Sequence, residues 1–333
     1  MKSKIFNVAL VGCGTIAPNH LNALTSMKNV RVVGLCDTVS ERSKEMAQKY
    51  SLEGVGIYTD YYKMLAELSL DAVHIATPHY LHAPMTIAAL ERDINVFLEK
   101  PMCISEEEIE SLIVAEKKSK ATVCVCFQNR FTSAVKLAME TLEADGGATS
   151  AHFSLFWKRD EKYYVSSGWR GKRATEGGGV MINQAIHSLD MLTLFLGKPS
   201  AVCATTANHH LKGVIDVEDS CEGVIRFERG IANFYATTSS LGTDDTTVTL
   251  RSKNHHVIIN LPNITIDGVT TCFENEDNYV GKKCYGNGHV ALIDLFYDAI
   301  TEGKKSPVSL EEAKHALKIL LAAYKSNDTD TLI

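Results

Sequence analysis

Val8-Ala9-Leu10-Val11 runs directly into Gly12-Cys13-Gly14-Thr15-Ile16-Ala17, and no other junction in the chain restricts the fold as much. A short apolar run of this kind suits a buried parallel strand, and the pattern G-x-G-x-x-A is the turn by which such a strand passes into a helix. Gly12 permits the tight turn, Gly14 lets a pyrophosphate approach the backbone, and Ala17 keeps the helix close to the strand. The helix-like segment Asn19 to Met27 then offers its free N–H groups to the phosphates. A second apolar run, Val30 to Cys36, ends at Asp37, about 20 residues beyond the glycines, where an acid is placed to bond ribose hydroxyls. Strand, turn, helix, strand and acid in this order predict a dinucleotide site. The carboxylate would repel the additional phosphate of NADP, so the expected cofactor is NAD, with NADP disfavoured.

The alternation continues. Amphipathic stretches separate the apolar runs Ala72 to Ala76, Val96-Phe97-Leu98 and Val123 to Phe127, as βαβ units do. Ser105-Glu106-Glu107-Glu108 reads as a capping box opening a helix. After about Gly147 the pattern changes to strand-like stretches in quick succession, from Ala151 to Lys158 through His256 to Asn260, with the helix Val180 to Leu196 among them. That predicts a mostly antiparallel sheet with the helix on one face. The other face is expected to carry Phe153, Leu155 and Trp157 and to need cover. The tail returns to helix at Val290 to Thr301 and, after Ser309-Leu310-Glu311-Glu312, which reads as a second capping box, at Ala313 to Lys325. The predicted fold class is α/β: a Rossmann domain over residues 1–125, then a domain over 126–333 with a large, open, mostly antiparallel sheet, whose terminal helices can pack back on the first.

With 45% hydrophobic residues the chain can fill two cores, and a net charge of −6 gives no basic concentration. Nucleic acid and anionic membrane surfaces are therefore unexpected partners. Nothing resembles a signal peptide or a membrane span. Nine cysteines, an odd number without paired ligand spacing, read as buried thiols in a reducing cytoplasm rather than as a metal or disulfide framework. No metal site is expected, and the pairs His209-His210 and His255-His256 read as structural.

Two segments carry candidate chemistry. Glu99-Lys100-Pro101 closes the run Asn95 to Leu98, placing a lysine at a strand end where open α/β sheets bind ligands. After Gly177-Gly178-Gly179, Asn183, His187 and Asp190 recur at i, i+4 and i+7 along an otherwise apolar helix. Such a stripe needs partners or a cavity, or else it faces solvent, as neighbouring Gln184 and Ser188 would suggest. Spacing alone leaves both readings open.

Taken in order, G-x-G-x-x-A, Asp37, Thr77-Pro78-His79-Tyr80-Leu81-His82, Glu99-Lys100-Pro101, and Gly177-Gly178-Gly179 through His187-Ser188-Leu189-Asp190 resemble the Gfo/Idh/MocA family, named for glucose-fructose oxidoreductase and inositol 2-dehydrogenase. The resemblance covers essentially the whole chain. It implies a nicotinamide-dependent oxidoreductase acting on a hydroxyl of a sugar, sugar acid or nucleotide-linked sugar, assembled as a homodimer or homotetramer through the open sheet. It implies cofactor contacts at Gly12, Gly14, Thr15, Ile16, Ala17, Asp37, Thr77, Pro78, His79, His82, Glu99 and Lys100. Substrate contacts would fall on Gln128, Asn129, Trp169, Arg170, Asn183 and His187. Asn183 departs from the aspartate common at its position, and His79 from asparagine.

The implied catalytic pair is Lys100 and His187. Removing a hydride from a secondary alcohol requires that the hydroxyl proton leave too. An imidazole, with an unperturbed pKa of ~6.5, suits that role better than an ammonium at ~10.4. His187 is therefore read as the base and Lys100 as the group that stabilises the reacting oxygen, with Asp190 supporting the helix or the imidazole. Gln128 and Asn129 could instead cap a loop, and Tyr163, Trp169 and Arg170 could form a packed loop or subunit contact. Two other readings remain on this fold: a non-catalytic NAD or sugar sensor, and a redox-neutral enzyme with tightly held NAD.

Overall fold

The computed structural model describes residues 4–242, 244–273, 287–326 and 331–333. The chain divides into two compact units. The first comprises Met1–Cys103, Glu107–Gln128 and Gly288–Glu312, and the second Ile104–Glu106, Asn129–Asn287 and Ala313–Ile333.

The first unit alternates strand and helix: β1 (Phe6–Val11), α1 (Ala17–Ser26), β2 (Val30–Cys36), α2 (Ser40–Lys49), β3 (Gly56–Tyr58), α3 (Tyr61–Glu67), β4 (Ala72–Ile75), α4 (His82–Leu90), β5 (Asn95–Leu98), α5 (Glu106–Lys118) and β6 (Val123–Val125). The strands pair in the order β3-β2-β1-β4-β5-β6, every pairing parallel. Chain order reverses between β1 and β4, so the crevice beyond the carboxyl ends of these strands is where such a sheet takes a ligand. β4, β5 and β6 are buried along almost their whole length, as a parallel sheet covered on both faces requires. Leu10 of β1, Ala17 and Leu21 of α1 and Leu35 of β2 form one fully buried cluster with Cys13, which fixes the glycine turn between strand and helix.

In the second unit, α6 (Ser133–Ala144) leads into β7 (Ser150–Phe156), and the short helices α7 (Glu161–Val165) and α8 (Arg173–Glu176) precede α9 (Ile186–Leu196). Seven strands follow: β8 (Pro199–Ala207), β9 (Ser220–Phe227), β10 (Ile231–Thr237), β11 (Asp245–Arg251), β12 (His256–Asn260), β13 (Asn263–Ile266) and β14 (Val269–Cys272). After α10 (Gly288–Glu302), which belongs to the first unit, come α11 (Leu310–Lys325) and β15 (Thr331–Leu332). The sheet runs β14-β13-β12-β11-β7-β10-β9-β8-β15 and is antiparallel except where β7 meets β10. α9 packs on β7.

Two sequence expectations are corrected here. Ala151, Phe153 and Leu155 form the buried face of β7, and Phe153 stacks on Phe234 of β10 at 5.1 Å between centroids. The open face carries instead Phe156, Val224, Ile231 and Tyr235, each 37–44% exposed. The assignment was one residue out of phase, which in a strand exchanges the two faces. Ser309 does precede α11, but its buried hydroxyl has no hydrogen-bond partner among the described residues, and the turn is closed by Glu312 N–H donating to the Ser309 carbonyl at 3.1 Å. Among the described residues no helix is long and apolar enough to cross a membrane.

Candidate functional site

In the first unit, Gly12 has φ +90°, and a Cβ there would overlap the Ala76 carbonyl, so only glycine lets β1 and β4 close around the turn. A Cβ at Gly14 would project into open space. Gly14 and Thr15 are exposed, Ile16 is half-buried, and α1 starts at Ala17 with no side-chain cap. Pro18 carries no N–H, and the Ala17 and Asn19 N–H groups donate to the Gly14 and Ile16 carbonyls at 3.2 and 3.0 Å, so an anion at this helix start would meet the backbone of the exposed Gly14-Thr15 turn. Asp37, 9% exposed, accepts from Cys13 N–H through Oδ2 at 2.9 Å and from Val39 N–H through Oδ1 at 2.8 Å, with the exposed Arg42 3.6 Å away. Its carboxylate is locked beside the glycine turn. This arrangement fits the pyrophosphate and adenosine ribose of NAD. Asp37→Ala is expected to raise the KM for NAD by about 10- to 100-fold, the cost of losing charged hydrogen bonds, and to narrow the preference over NADP. Equal kcat/KM with both cofactors in the unaltered protein would remove this role and turn attention to Arg42 as a phosphate partner.

At the end of β4, Thr77 and Pro78 are half-buried and His79 is buried in a short turn, His79–Leu81. His82 is 1% exposed, with Nδ1 2.6 Å from the Pro101 carbonyl and Nε2 2.8 Å from the Thr77 carbonyl. Burial lowers its pKa despite the two carbonyls that favour its charged form. Both ring nitrogens meet backbone carbonyls, so His82 ties the Thr77 loop to the segment behind Lys100.

Glu99 is likewise internal. Its Oε1 lies 3.1 Å from His20 Nε2 and 3.7 Å from His289 Nε2. His20 Nδ1 lies 2.9 Å from His74 Nδ1, His74 Nε2 lies 3.0 Å from the Tyr297 hydroxyl, and Asn19 Nδ2 lies 3.4 Å from His289 Nδ1. Burial opposes ionisation of Glu99, but the hydrogen bonds from His20 and His289 outweigh it and hold the carboxyl well below its usual range. Burial also drives His74 strongly toward its neutral form. Lys100, half-buried, therefore leaves β5 between a carboxylate anchored by two imidazoles and a proline carbonyl held by a third. Glu99, Cys126 and His289 bring one oxygen, one sulfur and one nitrogen within 4.8 Å of one another, donor types that zinc accepts. Burial and then the Glu99 charge push the Cys126 thiol well above its ordinary value. Gln128 is 3% exposed and its Oε1 accepts from the Cys126 thiol at 3.8 Å; its side chain serves this network.

In the second unit, the triple glycine has a steric cause. A Cβ at Gly178 would overlap the Tyr324 hydroxyl, and one at Gly179 the Glu218 carbonyl. Glu218 Oε1 accepts from Gly179 N–H at 2.9 Å, Met181 N–H at 3.1 Å and the Tyr324 hydroxyl at 2.8 Å. The next five residues, Met181–Ala185, form a π turn before α9, a local widening frequent at functional sites. Gln184 and Ser188 are buried, so the solvent-facing reading of the polar stripe fails. Asn183 and His187 are half-buried. Asp190 is 1% exposed and receives Arg130 Nε and Nη2 at 2.7 and 2.6 Å. That bidentate pair anchors α9 to the turn holding Asn129, whose buried Oδ1 has no hydrogen-bond partner among the described residues.

Asn183 Nδ2 donates to Glu176 Oε1 and, at 3.3 Å, to the Tyr163 hydroxyl. Tyr163 is the middle rung of a stack: the Arg159 guanidinium lies 4.6 Å from the Trp157 ring and 5.0 Å from Tyr163, and Arg170 lies 4.7 Å from Tyr163 and 4.9 Å from Trp169. Arg159 also meets Asp244 at 3.3 Å. Stacked guanidinium groups keep their N–H edges available for oxygen ligands. Sequence reading missed His20, His74, Arg130, Arg159 and Glu176. A usable signal existed for two of them: His74 interrupts the apolar strand Ala72–Ile75, and His20 lies on the buried stripe of α1 with Ala17, Leu21 and Leu24.

Two sequence profiles match the chain. That of an oxidoreductase family with an NAD-binding Rossmann fold, GFO_IDH_MocA, covers residues 6–127, and that of the GFO/IDH/MocA C-terminal domain covers residues 146–254. The chain is 28% identical over 258 residues to levoglucosan dehydrogenase of Pseudarthrobacter phenanthrenivorans, covering 67% of this chain and 65% of that protein. It is 23% identical over 329 residues to myo-inositol 2-dehydrogenase of Thermotoga maritima, covering 96% and 95%. The WlbA dehydrogenase from Bordetella pertussis, solved in complex with NADH and UDP-GlcNAcA, shares the fold with a TM-score of 0.87 at 23% identity, over 100% of this chain and 99% of that one.

Proposed function

The chain belongs to the Gfo/Idh/MocA family of NAD-dependent oxidoreductases, and from that premise we propose that it moves a hydride between NAD and a secondary hydroxyl of a sugar, sugar acid or nucleotide-linked sugar. The observation that carries the reading is the Asp37 carboxylate locked beside an uncapped helix start at Gly12–Ala17, on the same sheet that presents Lys100. We assign Gly12, Gly14, Thr15, Ile16, Ala17, Asp37, Thr77, Pro78 and His79 to the cofactor and Asn129, Trp169, Arg170, Asn183 and His187 to the substrate. Glu99, His82 and Gln128 support this machinery from behind.

Bound NAD supplies the hydride acceptor. The Lys100 ammonium donates a hydrogen bond to the substrate oxygen and stabilises the negative charge that grows on it. His187 takes the hydroxyl proton, so that a secondary alcohol and NAD⁺ become a ketone, NADH and an imidazolium that releases its proton to solvent. The rings that the relatives' names specify are polyhydroxylated, and an indole face with a guanidinium edge suits such a ring or an anionic substituent on it.

The test is nicotinamide absorbance with purified protein and NAD against free sugars, cyclitols, sugar acids and UDP-sugars. Reduction is expected with at least one class. Stabilisation by a sugar without any turnover would favour the sensor, and product formed without net reduction, on cofactor that survives dialysis, the redox-neutral enzyme. The apolar residues on the open sheet face support assembly as a homodimer or homotetramer through that face; a monomer in light scattering at micromolar concentration would contradict it. No disulfide joins the eight described cysteines, in keeping with a cytoplasmic enzyme.

A further inference from the structure

Glu176, the last residue of α8, is 1% exposed, and its carboxylate is divided between two donors: Oε2 accepts from Gly171 N–H and Oε1 from Asn183 Nδ2. The amide of Asn183 is thereby oriented, with its nitrogen committed to Glu176 and to the Tyr163 hydroxyl and its oxygen on the opposite branch. We propose that Glu176 is a positioning residue for substrate recognition, holding Asn183 so that the amide oxygen receives a substrate hydroxyl. The proposal rests on the assignment of Asn183 to the substrate.

The charged groups around Glu176 are Arg170, which favours its ionised form, and Glu218, which opposes it; Arg173 lies 3.8 Å from Glu218. Burial dominates and pushes the Glu176 carboxyl up to about 7, against the hydrogen bonds from Gly171 and Asn183. As pH falls through that value one carboxylate oxygen becomes an O–H donor, leaving a single acceptor oxygen for the two donors Gly171 N–H and Asn183 Nδ2, so the amide nitrogen loses its hold. Recognition is therefore expected to weaken on the acid side of neutrality.

Three variants, Glu176→Gln, Asn183→Asp and the double exchange, separate this from a packing role. Glutamine has one acceptor oxygen for two donors, so Glu176→Gln should raise KM by about 10-fold or more with a smaller effect on kcat. Asn183→Asp sets a second carboxyl against the buried Glu176 carboxyl, the pair must share a proton, and the pH profile should shift toward acid. The double exchange restores a donor and an acceptor with their places swapped. It should recover at least about tenfold of the kcat/KM lost in Asn183→Asp. A ligand-free readout accompanies these: Trp157 and Trp169, the only tryptophans in the chain, stand in the stack around Tyr163. Their emission should titrate near the Glu176 value in the unaltered protein and lose that step in Glu176→Gln. Unchanged kcat/KM in Asn183→Asp would overturn the substrate assignment and the proposal together. A loss there that the double exchange does not relieve would overturn the proposal alone. Should Glu176→Gln fail to fold, an unshifted pH profile in Asn183→Asp would still overturn it.

Discussion

Lys100→Met is expected to reduce kcat by about 10²- to 10³-fold, the usual cost of removing one donor from a developing oxyanion, while NADH affinity measured by fluorescence stays within a factor of about three. The expectation follows from how the lysine is held. On its N-terminal side Glu99 is fixed by His20 and His289, and on its C-terminal side Pro101 is fixed by His82. None of these contacts uses the lysine ammonium, so the β5 end should keep its place when that group is lost. Methionine retains the length and apolar stem of the side chain and deletes only the charge and the donors. The cofactor contacts assigned to Gly12–Ala17 and Asp37 are untouched, so the loss should fall on the chemical step and not on NAD binding. Arginine should rescue poorly, because a planar fork cannot replace a compact ammonium at one oxygen. Near-normal kcat in Lys100→Met would exclude the lysine from the chemistry.

How far the sequence discloses such a site depends on the range of the interactions that build it. The glycine turn, Asp37 and the end of β5 are legible because strand, turn and helix periodicities place them locally, and each has one steric or electrostatic reason for its residue type. The sheet of the second unit was legible in its strands from Ala151 to Asn260, but the pairs β13–β14 and β8–β15 were not. β14 is exposed at every residue and β15 has two residues, so neither carries a burial pattern. The π turn at Met181–Ala185 interrupts the α-helical phase on which a face assignment rests, so spacing alone leaves the surroundings of the polar stripe open, whereas Gln184 and Ser188 are buried. The buried chain from Tyr297 through His74 and His20 to Glu99 joins residues up to 223 positions apart. No local pattern announces which imidazole meets which carboxylate. Glu176 is similar in kind: an acid before three glycines reads as a surface residue until Gly171 and Asn183 are seen to close over it.

His187→Ala should lower turnover in the oxidation direction by about 10²- to 10⁴-fold, the range for loss of a general base, again with NAD binding preserved. Its distinguishing signature lies in the pH profile. A base must be unprotonated to accept the hydroxyl proton, so activity in the intact protein should rise with pH as the imidazole gives up its proton. Glu176, held at about 7, also must be ionised in order to keep the Asn183 amide in place, and its limb runs in the same direction. The two can be separated because they act on different constants. Loss of the imidazole should remove the limb seen in kcat and leave the one in KM, whereas Glu176→Gln should do the reverse. A His187→Ala variant that keeps near-normal kcat would transfer the base role to Lys100, and its rate should then climb with pH toward the range where an ammonium gives up its proton. If Lys100→Met and His187→Ala both kept near-normal turnover on the best substrate found, the chemistry would lie with neither residue.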